Sequence, residues 1–174
     1  ADDIHDMMHH LDVKRAVLVG HSMGGYIALA FAHAYPAHTA GLGLVATQAA
    51  ADTPEKRQAR YIQIEEVKRR GVKHVVEHMA PKITPRPALA EALKLLMVKT
   101  RLSTVVNSLK AMAERPDATE WLNLMDIPAV VIAGKADTFI PLERAQTMAQ
   151  ILPRGWMVEI PDAGHMPMLE TPEL

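Results

Sequence analysis

Cysteine is absent from the 174 residues, which excludes disulfide staples and thiolate metal sites and accords with a reducing, cytoplasmic setting. A surplus of one charge is also missing: the formal net charge is -1, so nothing favours nucleic acid or an anionic membrane surface as a partner. No apolar run approaches the ~20 residues of a membrane-spanning helix, and no charged-then-apolar signal segment opens the chain. No glycine-rich phosphate loop is present, and no cofactor is expected. What is present is an ordinary globular composition, 49% hydrophobic and 22% charged, in a chain of one domain's length.

The stretch Val17 to Tyr26, VLVGHSMGGY, runs from an apolar strand through a bracketed serine into a helix. Gly20 and Gly24 flank Ser22 in the pattern G-x-S-x-G. A sharp strand-to-helix turn of this kind exposes the serine Oγ, and glycines let its two arms pass closely. The following backbone N–H, that of Met23, then points toward a developing oxyanion.

Elsewhere the chain alternates strand and helix, interrupted once. Ile4, Met8 and Leu11 lie at helical spacing in a short helix from Asp2 to Leu11. His5 and His9 on that helix have a chelating i, i+4 spacing, but no third ligand accompanies them, so they read as polar-face histidines and no metal is expected. Strands are predicted at Ala16 to Val19, Ala40 to Ala46, Ala129 to Ala133 and Trp156 to Ile160, with helices at Tyr26 to Tyr35 and Leu142 to Leu152. Between Gln48 and Asp126 only helices are expected. Thr53-Pro54-Glu55 starts one that Gly71 stops, and others follow at Val72 to Met79, Pro87 to Val98 and Ser103 to Glu114. The basic cluster Lys56, Arg57, Arg60, Lys68, Arg69, Arg70 and Lys73 can be read as an anion site, but the interleaved Glu55, Glu65 and Glu66 make a solvated helix face the preferred reading. Met79, Met97 and Met112 read as core filler before pocket lining.

Ser22, Asp137 and His165 each fall just beyond the carboxyl end of a predicted strand, the edge where open α/β sheets gather catalytic groups. Serine needs a base to take its proton, and imidazole needs a carboxylate to fix its tautomer. Asp162 is closer to His165 in sequence, but a turn aspartate is the preferred reading there.

With GHSMGG at Gly20 to Gly25, the run Gly134, Asp137 and Pro141, and the run Gly164, His165, Glu170 and Pro172, the chain resembles the α/β-hydrolase superfamily, especially its capped carboxylesterase and lactonase-like branch. The resemblance implies a partial α/β-hydrolase fold: about four parallel strands with helices and a helical cap insertion. Residues 1–49 and 126–174 would form the two parts of the core, and 50–125 the cap. It makes Ser22 the nucleophile, Asp137 the orienting acid, His165 the base and Met23 one oxyanion donor. It also implies further strands before Ala1 and a helix after Pro172, so that the second oxyanion donor is missing and catalysis is slow.

Four strands laid side by side in chain order put their connecting helices on one face and leave the other bare. A homo-oligomer, or completion by another polypeptide, is therefore expected. The expected function is a serine hydrolase cleaving carboxylic esters of small to medium acyl chain through an acyl-enzyme. The alternative is a catalytically weak or inactive truncated fragment that self-associates through its uncovered sheet.

Overall fold

Apolar runs of six or seven residues, rich in valine, leucine and alanine, form the strands, as such runs do when a sheet is buried. The computed structural model describes residues 1–174. Strands β1 (Ala16–His21), β2 (Thr39–Val45), β3 (Ala129–Gly134) and β4 (Gly155–Ile160) pair in parallel in the order β1-β2-β3-β4. This is the expected architecture. Each strand boundary lies within one or two residues of its prediction, β1 gaining Gly20 and His21 at its carboxyl end.

Helices α1 (Asp2–His10) and α2 (Met23–Ala34) flank β1, while α8 (Leu142–Ile151) connects β3 to β4. Between β2 and β3 lie α3 (Pro54–Arg70), α4 (Val72–Ile83), α5 (Pro87–Met97), α6 (Leu102–Glu114) and the short α7 (Thr119–Leu122); α9 (Pro167–Glu170) follows β4. Sequence reading missed α7 and α9, each a single turn and too short to show a period. Thr53 caps α3 by accepting the Lys56 N–H at 3.3 Å, and Gly71 ends it, as expected. The expected break near Pro81 does not occur: α4 runs through that proline to Ile83 with Val76 and Ala80 buried, so packing outweighs the lost hydrogen bond. Of the apolar residues placed on α1, Met8 is buried but Leu11 caps the helix in solvent.

Register decides which face of the sheet is covered. Leu42 pairs with Ala129 and Leu44 with Val131, and these side chains meet Ala28, Leu29 and Ala32 of α2 and Ala145 and Met148 of α8 in the main core. The alternate residues point the other way. Val19, Gly43, Val130 and Trp156 lie across the sheet from one another, and Val17, Val19, Trp156 and Val158 are exposed. The bare face foreseen from topology is therefore present.

Candidate active site

Chain reversal between β1 and α2 sets Ser22 at φ 52°, ψ -114°, in the left-handed half of backbone space that non-glycine residues avoid. The turn is held from below: Ser22 N–H donates to the Val45 carbonyl at 2.9 Å, and Thr47 Oγ1 donates to the Ser22 carbonyl at 2.8 Å. Gly20 is forced by the crossing, since a Cβ there would lie 2.2 Å from the Gly24 carbonyl oxygen. Gly24 itself would carry a Cβ in open space, which corrects the expectation that both flanking glycines are needed for clearance. Helix α2 starts at Met23, three residues earlier than predicted, so the Met23 N–H belongs to the first turn, whose amides have no acceptor within the helix.

The other two residues are delivered by the ends of β3 and β4. Asp137 accepts the N–H groups of Phe139 and Ile140 on Oδ1, at 2.8 and 3.0 Å, and its Oδ2 accepts His165 Nδ1–H at 2.8 Å. Gly134 lets the two loops meet, because a Cβ there would strike the carbonyl oxygens of Ala163 and Gly164 at 2.3 Å. With Nδ1 donating, the ring's Nε2 is left as the acceptor for the Ser22 hydroxyl, 2.9 Å away. Ser22, His165 and Asp137, remote in sequence, thus form one continuous hydrogen-bonded line. Asp162 is exposed in a turn.

Two neighbours escaped the sequence reading. His21 donates Nε2–H to the His165 carbonyl at 2.6 Å; burial lowers its pKa, outweighing that hydrogen bond, and so favours the neutral ring. Glu170 is wholly buried and accepts the N–H groups of Gly164 and Met166, the residues on either side of His165. Its place in the G-H-x-x-x-x-E run was visible, but a role exercised through backbone amides leaves no trace in side-chain chemistry.

Above Ser22 opens a cavity of about 520 Å³, lined mainly by apolar side chains. Met79, Met97 and Met112 all line it, which reverses the preference for core filler; their helices leave a channel where a solid core was assumed. Arg60 faces it too, paired with the buried Asp52 and not with solvent, whereas Lys68 and Glu65 on the same helix form the expected exposed pair at 2.8 Å. Burial would raise the Asp52 pKa, but hydrogen bonds from Arg60 and Arg115 outweigh it and hold the carboxyl below its ordinary value. His5 stacks on Tyr35 with ring centroids 4.2 Å apart, and no cluster of three or more metal-ligating side chains exists in the chain. No helix is long and apolar enough to cross a membrane.

A parallel sheet carrying a serine at a strand-to-helix elbow, with histidine and aspartate at neighbouring strand ends, defines an α/β protein of the hydrolase type. The family model described as "Alpha/beta hydrolase family" matches residues 1–174, and the chain belongs to that family. Among solved structures, a thermophilic esterase from Thermogutta terrifontis, determined with malate bound, superposes with a TM-score of 0.93 at 36% identity, over 99% of this chain and 66% of that one. The dihydrolipoyllysine-residue acetyltransferase component of the acetoin cleaving system of Pseudomonas putida is 31% identical over 96% of this chain and 45% of its own length. A 2-hydroxy-6-oxononadienedioate/2-hydroxy-6-oxononatrienedioate hydrolase from Paraburkholderia phymatum is 29% identical over 94% of this chain and 60% of its own. The chain thus spans between about half and two-thirds of the length of these relatives.

Proposed function

We propose that this chain carries the catalytic centre of a serine hydrolase that cleaves carboxylic esters of small to medium acyl chain. The observation that carries the reading is the Ser22 Oγ to His165 Nε2 separation of 2.9 Å with Asp137 2.8 Å behind the ring. Ser22 Oγ attacks the ester carbonyl carbon while its proton passes to His165 Nε2. The oxyanion accepts the Met23 N–H. Collapse expels the alcohol, which takes the proton from His165; water, deprotonated by the same nitrogen, then releases the acid and restores Ser22. Asp137 keeps the imidazole oriented and stabilises its protonated form. In this reading residues 50–125 form the cap, and their apolar cavity receives the acyl or alcohol chain.

Esterase activity in the Thermogutta relative lends support, and aspartate nucleophile chemistry is disfavoured because serine stands at the elbow. Replacement Ser22→Ala is expected to lower kcat on p-nitrophenyl butyrate by about 10⁶-fold and to abolish labelling by a fluorophosphonate, with circular dichroism unchanged. Undiminished turnover in the alanine variant would sink the assignment.

A further inference from the structure

We propose that the cavity is built for an ester that carries a second, ionised carboxylate, which Arg60 receives. The inference rests on the serine-hydrolase reading for its ester and on a separate part of the cavity for its charge.

Asp52 stands between two arginines at the cavity wall. Its side chain is almost fully buried and is shared by two guanidiniums: Arg115 Nη1 donates to Oδ1 at 2.8 Å, and Arg60 Nε donates to Oδ2. Arg115 is nearly as buried, bound also to the carbonyls of Ala50 and Met112 and lying 4.1 Å beneath the Tyr26 ring. One arginine would neutralise Asp52. The second, Arg60, keeps about a fifth of its side chain exposed and can take a further anion from the cavity side.

No other carboxylate pairs with Arg60. Asp117 accepts the N–H groups of Ala51 and Thr119 and its charge acts on Arg115, so Arg115 is the better compensated of the two arginines. Glu114 is engaged by the Tyr61 hydroxyl at 3.0 Å. Among the residues lining the cavity Asp52 is the sole acid, while Lys56, one helical turn before Arg60, adds a second cation of the same sign.

Arg115 keeps one buried Nε–H without a partner, but Arg60 is the arginine whose free donors line the cavity. Its Nη1 finds only the Met112 thioether sulfur, at 3.4 Å, a weak acceptor that a carboxylate would readily displace. Both Arg60 and Ser22 line the same cavity, with apolar wall from Val76, Met79 and Leu109 beside them. A ligand that is apolar along its length, anionic at one end and an ester at the other matches this lining.

Binding separates this proposal from the catalytic one. In Ser22→Ala, methyl hydrogen adipate should bind about tenfold more tightly than methyl hexanoate by titration calorimetry if the carboxylate belongs to the acyl part. A like preference for 4-carboxyphenyl butyrate over its methyl ester would assign it to the alcohol part. Adding Arg60→Gln should erase the preference while leaving affinity for the neutral ester unchanged, which loss of a purely structural contact would not do, and Arg60→Lys should restore part of the preference. Equal affinity within both pairs, or a preference that survives Arg60→Gln, would overturn the inference while leaving fluorophosphonate labelling of Ser22 untouched. Absence of labelling with the charge preference intact would reject the nucleophile and keep the anion site.

Discussion

Glu170 brings a carboxylate into a place no solvent reaches and uses it on backbone alone, accepting N–H groups from Gly164 and Met166 and so gripping the chain on both sides of His165. Removing one partner of a buried charged hydrogen bond leaves amides unsatisfied. Glu170→Ala is therefore expected to cost about 2–3 kcal/mol in urea unfolding and to slow fluorophosphonate labelling of Ser22, with Glu170→Gln intermediate. Labelling at the wild-type rate in a destabilised alanine variant would show that the carboxylate holds the fold and not the histidine. A second contrast lies at the elbow. Gly20→Ala must push its Cβ into the Gly24 carbonyl, whereas Gly24→Ala meets nothing and gains about 0.5–1 kcal/mol of helix propensity. Thermal midpoints should move in opposite directions, down for the first and up for the second. Ser22, Asp137 and His165 were legible because each ends a strand; Gly20 and Gly24 looked equivalent because a motif shows spacing and not which Cβ has a neighbour.

A clamp links the start of helix α3 to the end of α6: Asp52, just ahead of the Thr53 cap, pairs with Arg60 on α3 and with Arg115 just beyond α6. The two cations hold the Asp52 pKa below its ordinary value against the effect of burial, so the unfolded chain takes up a proton at this position more readily than the folded one. The clamp's stability is fully present above the ordinary aspartate range, about pH 4, and is lost as pH falls through the lower folded value. Asp52→Asn should therefore cost about 3 kcal/mol at pH 7, with the gap to wild type closing below pH ~4 in urea melts. A gap independent of pH would mean that shape and not charge holds the helices. This clamp was hidden from sequence reading because Arg60 and Arg115 are distant in the chain and alternate with glutamates like any solvated face. The run of α4 through Pro81 was hidden for a related reason: a local breaker is overruled only by the burial of Val76 and Ala80, which no local pattern reveals.

At the scale of the 174 residues there is one sheet, covered on one side. Strand order follows chain order, so α2 and α8 both pack on the face bearing Leu42, Leu44 and Val131, and the opposite face keeps Val17 at 63%, Val19 at 73% and Trp156 at 53% exposure. That much was legible before any coordinates, because order and crossover rules act on whole elements. Apolar residues in adjacent register across β1, β3 and β4 make a continuous patch, with β1 and β4 each pairing on one side only. A patch of this kind drives association in water, and open strand edges add backbone pairing. We therefore propose that the 174-residue chain self-associates through this face. Light scattering should give a mass above the 19.1 kDa of one chain, falling to that value in the double variant Val19→Lys, Trp156→Lys. Neither substitution touches the α2 and α8 side, so helical content should be kept. A single-chain mass for the unmodified protein across the micromolar range would reject association through the sheet, and a persistent oligomer in the double variant would move the contact elsewhere on the molecule.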